Sequence, residues 1–196
     1  MGVSFQFNKI WLFNMQTYIS FLRAVNMTGH NMVKMTELAA LFVGMGFGDV
    51  KTYIQSGNVI FSHDGNRSSS ALSDEIEKAI FKRFHLAIPV MTRKTNDLVR
   101  LLTANPYLNE PGFDPSKMAV VFLHETPVEA QIQKVSGVDF PPDRFEIIGD
   151  EIFIYCPNGF GRTKLYTGFF EKKMNVTGTA RNWKTVTTLL NLSGKK

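Results

Sequence analysis

An α+β fold in which a β-α-β-β-α-β order runs twice is what this 196-residue sequence predicts. Three observations predict it. Short β-branched and aromatic runs alternate with runs of helical period, glycine-bearing turns join two strand-like runs in each half, and the order of elements recurs.

In the first half, residues 17–22 (Thr-Tyr-Ile-Ser-Phe-Leu) have the composition of a buried strand. From Met35 the apolar residues Leu38, Leu41, Phe42 and Met45 fall on one helical face, and Gly46 stands where a left-handed C-cap is wanted. Residues 50–55 and 58–62 read as strands on either side of Ser56-Gly57, a pair suited to a tight hairpin turn. Leu72, Ile76, Ala79, Ile80 and Phe84 mark a second helix, and residues 87–91 a closing strand.

The second half follows a linking helix that starts at Thr95 and stops before Pro106. Residues 118–123 read as a strand. Thr126, Pro127 and Glu129 then combine an N-cap, a proline at the first helical position and a glutamate at the third, predicting a helix to about Val135. Residues 145–148 and 152–155 flank the hairpin signal Gly149-Asp150. A helix is expected over 162–173, a short strand over 176–179 and a last helix over 181–192. The doubled order predicts two tandem ferredoxin-like (βαββαβ) modules with a C-terminal helix, the first over 15–93 and the second, with the linking helix, over 94–196. Residues 1–14 read as an N-terminal extension without function; their longest apolar run, 10–13, is too short for a signal-peptide core or a membrane span.

Composition agrees with a folded chain, since hydrophobic residues make up 44% and aromatic residues 12%. The net charge of +5 favours phosphate-bearing partners. A single cysteine, Cys156, excludes an intramolecular disulfide and predicts a reducing, cytoplasmic location. It follows a run of alternating apolar residues with no activating partner in sequence, so it reads as a packing thiol. His30, His63, His85 and His124 lack metal-ligand spacing, and no metal or cofactor is expected. His30, in a basic loop, is at best a lone candidate base. No complete nucleophile, Walker A or dinucleotide signature is present, so the sequence names no reaction.

Two basic stretches carry the functional expectation. Arg23 and Asn26 leave the end of the first strand, and Asn158, Gly159, Gly161, Arg162, Thr163 and Lys164 precede the helix expected from Arg162. Cations at a helix start oppose its dipole, so a bound anion would explain them. Arg181 and Lys184 are expected on one face of the last helix, and Ser56 and Asn58 at the first hairpin. Together these residues predict a small anionic or phosphorylated ligand in a cleft between the modules, where the two basic loops converge. The alternative is single-stranded nucleic acid stacked on sheet-face aromatics Tyr18, Tyr53, Phe61, Phe153 and Tyr155.

Four strings, residues 18–26, 53–61, 157–165 and 179–185, resemble the bacterial domain of unknown function 1697 family. The resemblance runs from Met15 to about Leu192 and implies an α+β fold of ferredoxin-like modules, with no activity attached. The family's Arg-Gly-Ile-Asn-Val-Gly-Gly string reads Arg23-Ala-Val-Asn-Met-Thr-Gly29 here, so Ala24 and Thr28 replace glycines.

Overall fold

The computed structural model describes residues 15–27 and 29–194, so the expected extension 1–14 lies outside the described residues. Among them, eight strands make two four-stranded antiparallel sheets accompanied by six α-helices. The first sheet joins β1 (Gln16–Leu22), β2 (Gly48–Tyr53), β3 (Asn58–His63) and β4 (Val90–Lys94) in the order β2-β3-β1-β4. The second joins β5 (Met118–Leu123), β6 (Arg144–Ile148), β7 (Glu151–Tyr155) and β8 (Gly178–Asn182) in the order β6-β7-β5-β8. In each sheet the first strand is central and pairs with the third and fourth.

Helices α1 (Met35–Gly44) and α2 (Ser69–Phe84) cover one face of the first sheet, closing a core that includes Tyr18, Phe42, Phe61, Leu72 and Ile76. Helices α4 (Glu129–Ile132) and α5 (Thr167–Met174) do the same for the second sheet over Val121, Ile152, Ile154 and Phe170. The remaining faces of the two sheets meet each other. Ile19, Phe21 and Met91 share one core with Val120, Phe122 and Phe153, completed by Leu98 of α3 (Thr95–Ala104) and by Trp183 and Leu189 of α6 (Trp183–Leu192). At its centre the Phe21 and Phe122 rings stack at 4.1 Å. Coverage on both faces explains why Met118–Leu123 is continuously apolar rather than alternating.

Several expected boundaries move. β4 begins at Val90, after Pro89, which has no N–H to give to a ladder. β8 covers Gly178–Asn182, which puts Arg181 in a strand and starts α6 at Trp183, capped by the Asn182 side chain accepting the Thr185 N–H. The helix expected from Thr126 is the single turn Glu129–Ile132; Val128 is its N-cap, with the Gln131 side chain accepting the Val128 N–H. α5 starts at Thr167 rather than Arg162, because Leu165 is buried and the Thr163 hydroxyl accepts its N–H, holding the segment in bends rather than a helical turn. The first hairpin turn spans 54–57 rather than two residues. Gly57 closes it at φ +70°, where a Cβ would lie 2.7 Å from Leu22 Cβ.

Candidate functional site

Although the halves share little sequence, their hydrogen bonds correspond pairwise. Leu22 N donates to Gly57 O as Leu123 N donates to Asp150 O, and Arg23 N donates to Pro89 O as His124 N donates to Thr177 O. One arginine from each half crosses to the other. Arg93 of β4 donates from Nη2 to Leu123 O at 2.7 Å and from Nε to Glu151 Oε1 at 2.7 Å, with its guanidinium 5.9 Å from the Phe122 ring centre. Arg181 of β8 donates from Nη2 to Leu22 O at 2.8 Å and from Nε to Asn58 Oδ1 at 2.5 Å, with its guanidinium 5.6 Å from the Phe21 ring centre.

The counterparts differ in charge. Arg93 pairs with two carboxylates, Glu151 and Asp150 at 2.7 Å each, whereas their equivalents beside Arg181 are Asn58 and Gly57. Arg181 spends its donors on neutral acceptors, namely Asn58, Thr179 Oγ1, Ala180 O, Leu22 O and Ser56 O. Among the described residues no carboxylate pairs with it, and it is 8% exposed. Burial pulls its pKa down to about 10, so it remains a cation at neutral pH.

Burial has the opposite effect on Glu151, pushing its carboxyl up to about 7 against the pull of Arg93, with Asp150 adding to the rise. This lies above the ordinary value of 4.5, so between pH 4.5 and 7 the folded protein keeps a proton that the unfolded chain releases. The contribution is therefore complete at low pH and lost as pH rises through about 7, on the order of 3 kcal/mol in all. Denaturant titrations should show wild type losing stability relative to Glu151→Gln across that window. Parallel curves would show that Arg93 holds the carboxylate ionised throughout.

Beside Arg181 a cavity of about 500 Å³ opens between the two halves, with Arg23, Ser56, Thr167, Gly168 and Glu171 among its walls. Arg23 makes a two-pronged ion pair with Glu171, from Nε at 2.8 Å and Nη2 at 2.7 Å, leaving Nη1 without a hydrogen bond among the described residues. Glu171 also accepts the Gly178 N–H. The start of α5 lies in this wall. Tyr166, its N-cap, supplies no side-chain acceptor, and the Thr167 and Gly168 N–H groups have no partner among the described residues. Counting Arg23, Arg181 and Glu171, the cavity carries one net positive charge.

Of the other expected site residues, Asn58 lies under Arg181 and donates to Tyr53 O and Ser56 Oγ. Asn26 staples its own loop, exchanging hydrogen bonds with the Val33 backbone and donating to Gln55 O. Lys184 is exposed on the first turn of α6 and lines no part of the cavity. Asn158, Gly159, Gly161, Arg162, Thr163 and Lys164 line a separate cavity of about 770 Å³, opposite Asp139 and Asp143. The two basic loops therefore do not converge, and α5's later start removes Arg162 and Lys164 from its first turn. Lys164 lies 5.5 Å from the Phe140 ring centre.

Of the five aromatics considered for base stacking, Tyr18, Phe61, Phe153 and Tyr155 are buried, and Tyr53 is packed against the shared core. The sheet faces that would receive bases are covered by helices or by each other. Cys156 is buried and its thiol, raised by that burial, donates to the Thr163 hydroxyl at 3.4 Å. Sequence reading missed Arg93 and the grouping of Asp74 and Glu77 on α2 with His124, whose ligand atoms lie within 4.8 Å of one another. No described helix is long and apolar enough to cross a membrane.

Two sheets back to back, with a positively charged cavity between the halves, define a mixed α+β protein of two similar halves. Its fold is similar to that of a solved structure, the conserved bacterial protein SP0830 from Streptococcus pneumoniae, with 20% identity and a TM-score of 0.66 over 91% of this chain and 99% of that one. The family model DUF1697, described as a protein of unknown function, matches residues 15–153, and the chain belongs to that family. No curated protein matches it.

Proposed function

We propose that the protein binds a small anionic molecule, bearing phosphate or carboxylate, in the cavity between its two halves. The observation that carries this reading is the inequality of the two crossing arginines: Arg93 has carboxyl partners in Glu151 and Asp150, with Asp150 as its countercharge, and Arg181 has none. A buried cation facing only neutral acceptors is costly, and an anion in the adjoining cavity offsets that cost. Arg181 contributes its field rather than a contact, because its donors are already engaged. Direct contacts fall to the free Thr167 and Gly168 amides at the positive end of α5 and to Arg23 Nη1.

Phosphate or sulfate should then raise the melting temperature by binding only the folded state. Arg23→Gln is expected to weaken phosphate binding about two- to fivefold, matching the roughly 0.3–1 kcal/mol that a cation near a bound anion contributes. Asn58→Asp, which gives Arg181 the carboxylate that Arg93 already has, should abolish the response, each variant being read against its own ligand-free melting temperature. If the response survives both changes and disappears in Arg162→Ala with Lys164→Ala, the anion belongs in the other cavity. That outcome defeats the reading.

The same correspondence between halves supports reading them as ferredoxin-like modules over 15–93 and 94–196, each running β-α-β-β-α-β around a central first strand. A single buried thiol supports placing the protein in the reducing cytoplasm.

A further inference from the structure

We propose that Asp74, Glu77 and His124 form a binding site for a first-row divalent cation, of the Zn²⁺ class, that ties α2 of the first half to the end of β5 in the second. Asp74 and Glu77 stand one turn apart on the same face of α2. His124 follows directly on β5 and brings Nε2 to 3.2 Å from Glu77 Oε1 and 3.9 Å from Asp74 Oδ1, with all three ligand atoms within 4.8 Å. Metal–ligand bonds of about 2.0–2.2 Å place neighbouring tetrahedral donors roughly 3.3–3.6 Å apart, so small side-chain adjustments close the set. Imidazole with carboxylates suits Zn²⁺ and its first-row neighbours.

The correspondence between halves argues for a metal over a simple ion pair. At the equivalent place in the other half, Arg23 pairs with Glu171, Glu171 accepts the Gly178 N–H, and Gly168 stands where α2 has Asp74. There one fixed cation meets one carboxylate and the charges balance. Here Glu77 accepts the Val90 N–H at 2.7 Å in the same way, but the arginine is replaced by a histidine and a second carboxylate is added. Two carboxylates meet one imidazole here, and a divalent cation brings the charge that balances both carboxylates. The backbone hydrogen bond to Glu77 orients that carboxylate as outer-shell donors orient metal ligands. Asp74 is exposed, and Glu77 and His124 are partly so, which leaves the remaining coordination positions open to water.

The site is independent of the anion cavity and is tested on the full chain, free of any added histidine tag, by calorimetry with Zn²⁺ and by visible absorption with Co²⁺. One equivalent of Zn²⁺ should bind and raise the melting temperature, and Co²⁺ should show the d–d bands of a low-coordinate site with a nitrogen ligand. Asp74→Asn and His124→Ala should each weaken Zn²⁺ binding at least tenfold, while His85→Ala should leave it unchanged. Asp74 is exposed, so D74N keeps the fold even if H124A does not. Absence of stoichiometric binding, or a Zn²⁺ affinity in D74N equal to wild type, overturns the proposal.

Discussion

Replacing Arg181 by methionine should lower the melting temperature by about 10 °C, measured as reversible thermal unfolding at neutral pH. Methionine fills much of the volume but donates nothing, so Leu22 O, Ser56 O, Asn58 Oδ1 and Thr179 Oγ1 lose a donor inside the protein. A buried acceptor left without a partner costs about 1–3 kcal/mol, and a loss of about 3–5 kcal/mol in a chain of this length moves the midpoint by roughly 2–4 °C per kcal/mol. Arg181→Lys should recover less than half, since an ammonium offers fewer donors and lacks the planar fork that reaches both Leu22 and Asn58. A loss below about 1 kcal/mol for the methionine variant would mean that water enters and satisfies the acceptors.

Truncating Phe122 to alanine should cost about 3–5 kcal/mol, because the ring is fully buried and stacks on Phe21 across the join of the two sheets. The same core holds residues of both sheets and of α3 and α6, so the wild type should unfold in one transition. Native-state hydrogen exchange on Phe122→Ala should show amides of β1 and β5 losing protection together. Loss confined to the second sheet would show that the halves are stable separately.

The presence of strands and helices was legible in sequence because burial imposes its periods locally: Thr17–Leu22 and Met118–Leu123 announce themselves by composition. Their ends were not legible, and this had a specific consequence for the site. With the closing strands expected over 87–91 and 176–179, Arg93 falls outside one and Arg181 opens a helix. With the observed bounds both arginines are the fourth residue of a closing strand, and the correspondence becomes visible. Arg23 was legible as a functional candidate, but its partner Glu171 lies 148 residues away. Likewise, Asp74 and Glu77 show their helical spacing, while His124 meets them only through the docking of one half on the other.

Each half donates an arginine into the turn and central strand of the other, and this reciprocal exchange bears on how the proposed anion would enter. A hinge motion that parted the halves would pull Arg93 from Leu123 and Glu151 and Arg181 from Leu22 and Asn58 in one stroke, and would unstack Phe21 from Phe122. Under the proposed function the cavity therefore acts as a preformed socket and not as a clamshell. The anion proposed for it would have to fit the existing space of about 500 Å³, which suits a guest of small metabolite size. Binding under that proposal should need no prior rearrangement, and guests should differ mainly in the lifetimes of their complexes.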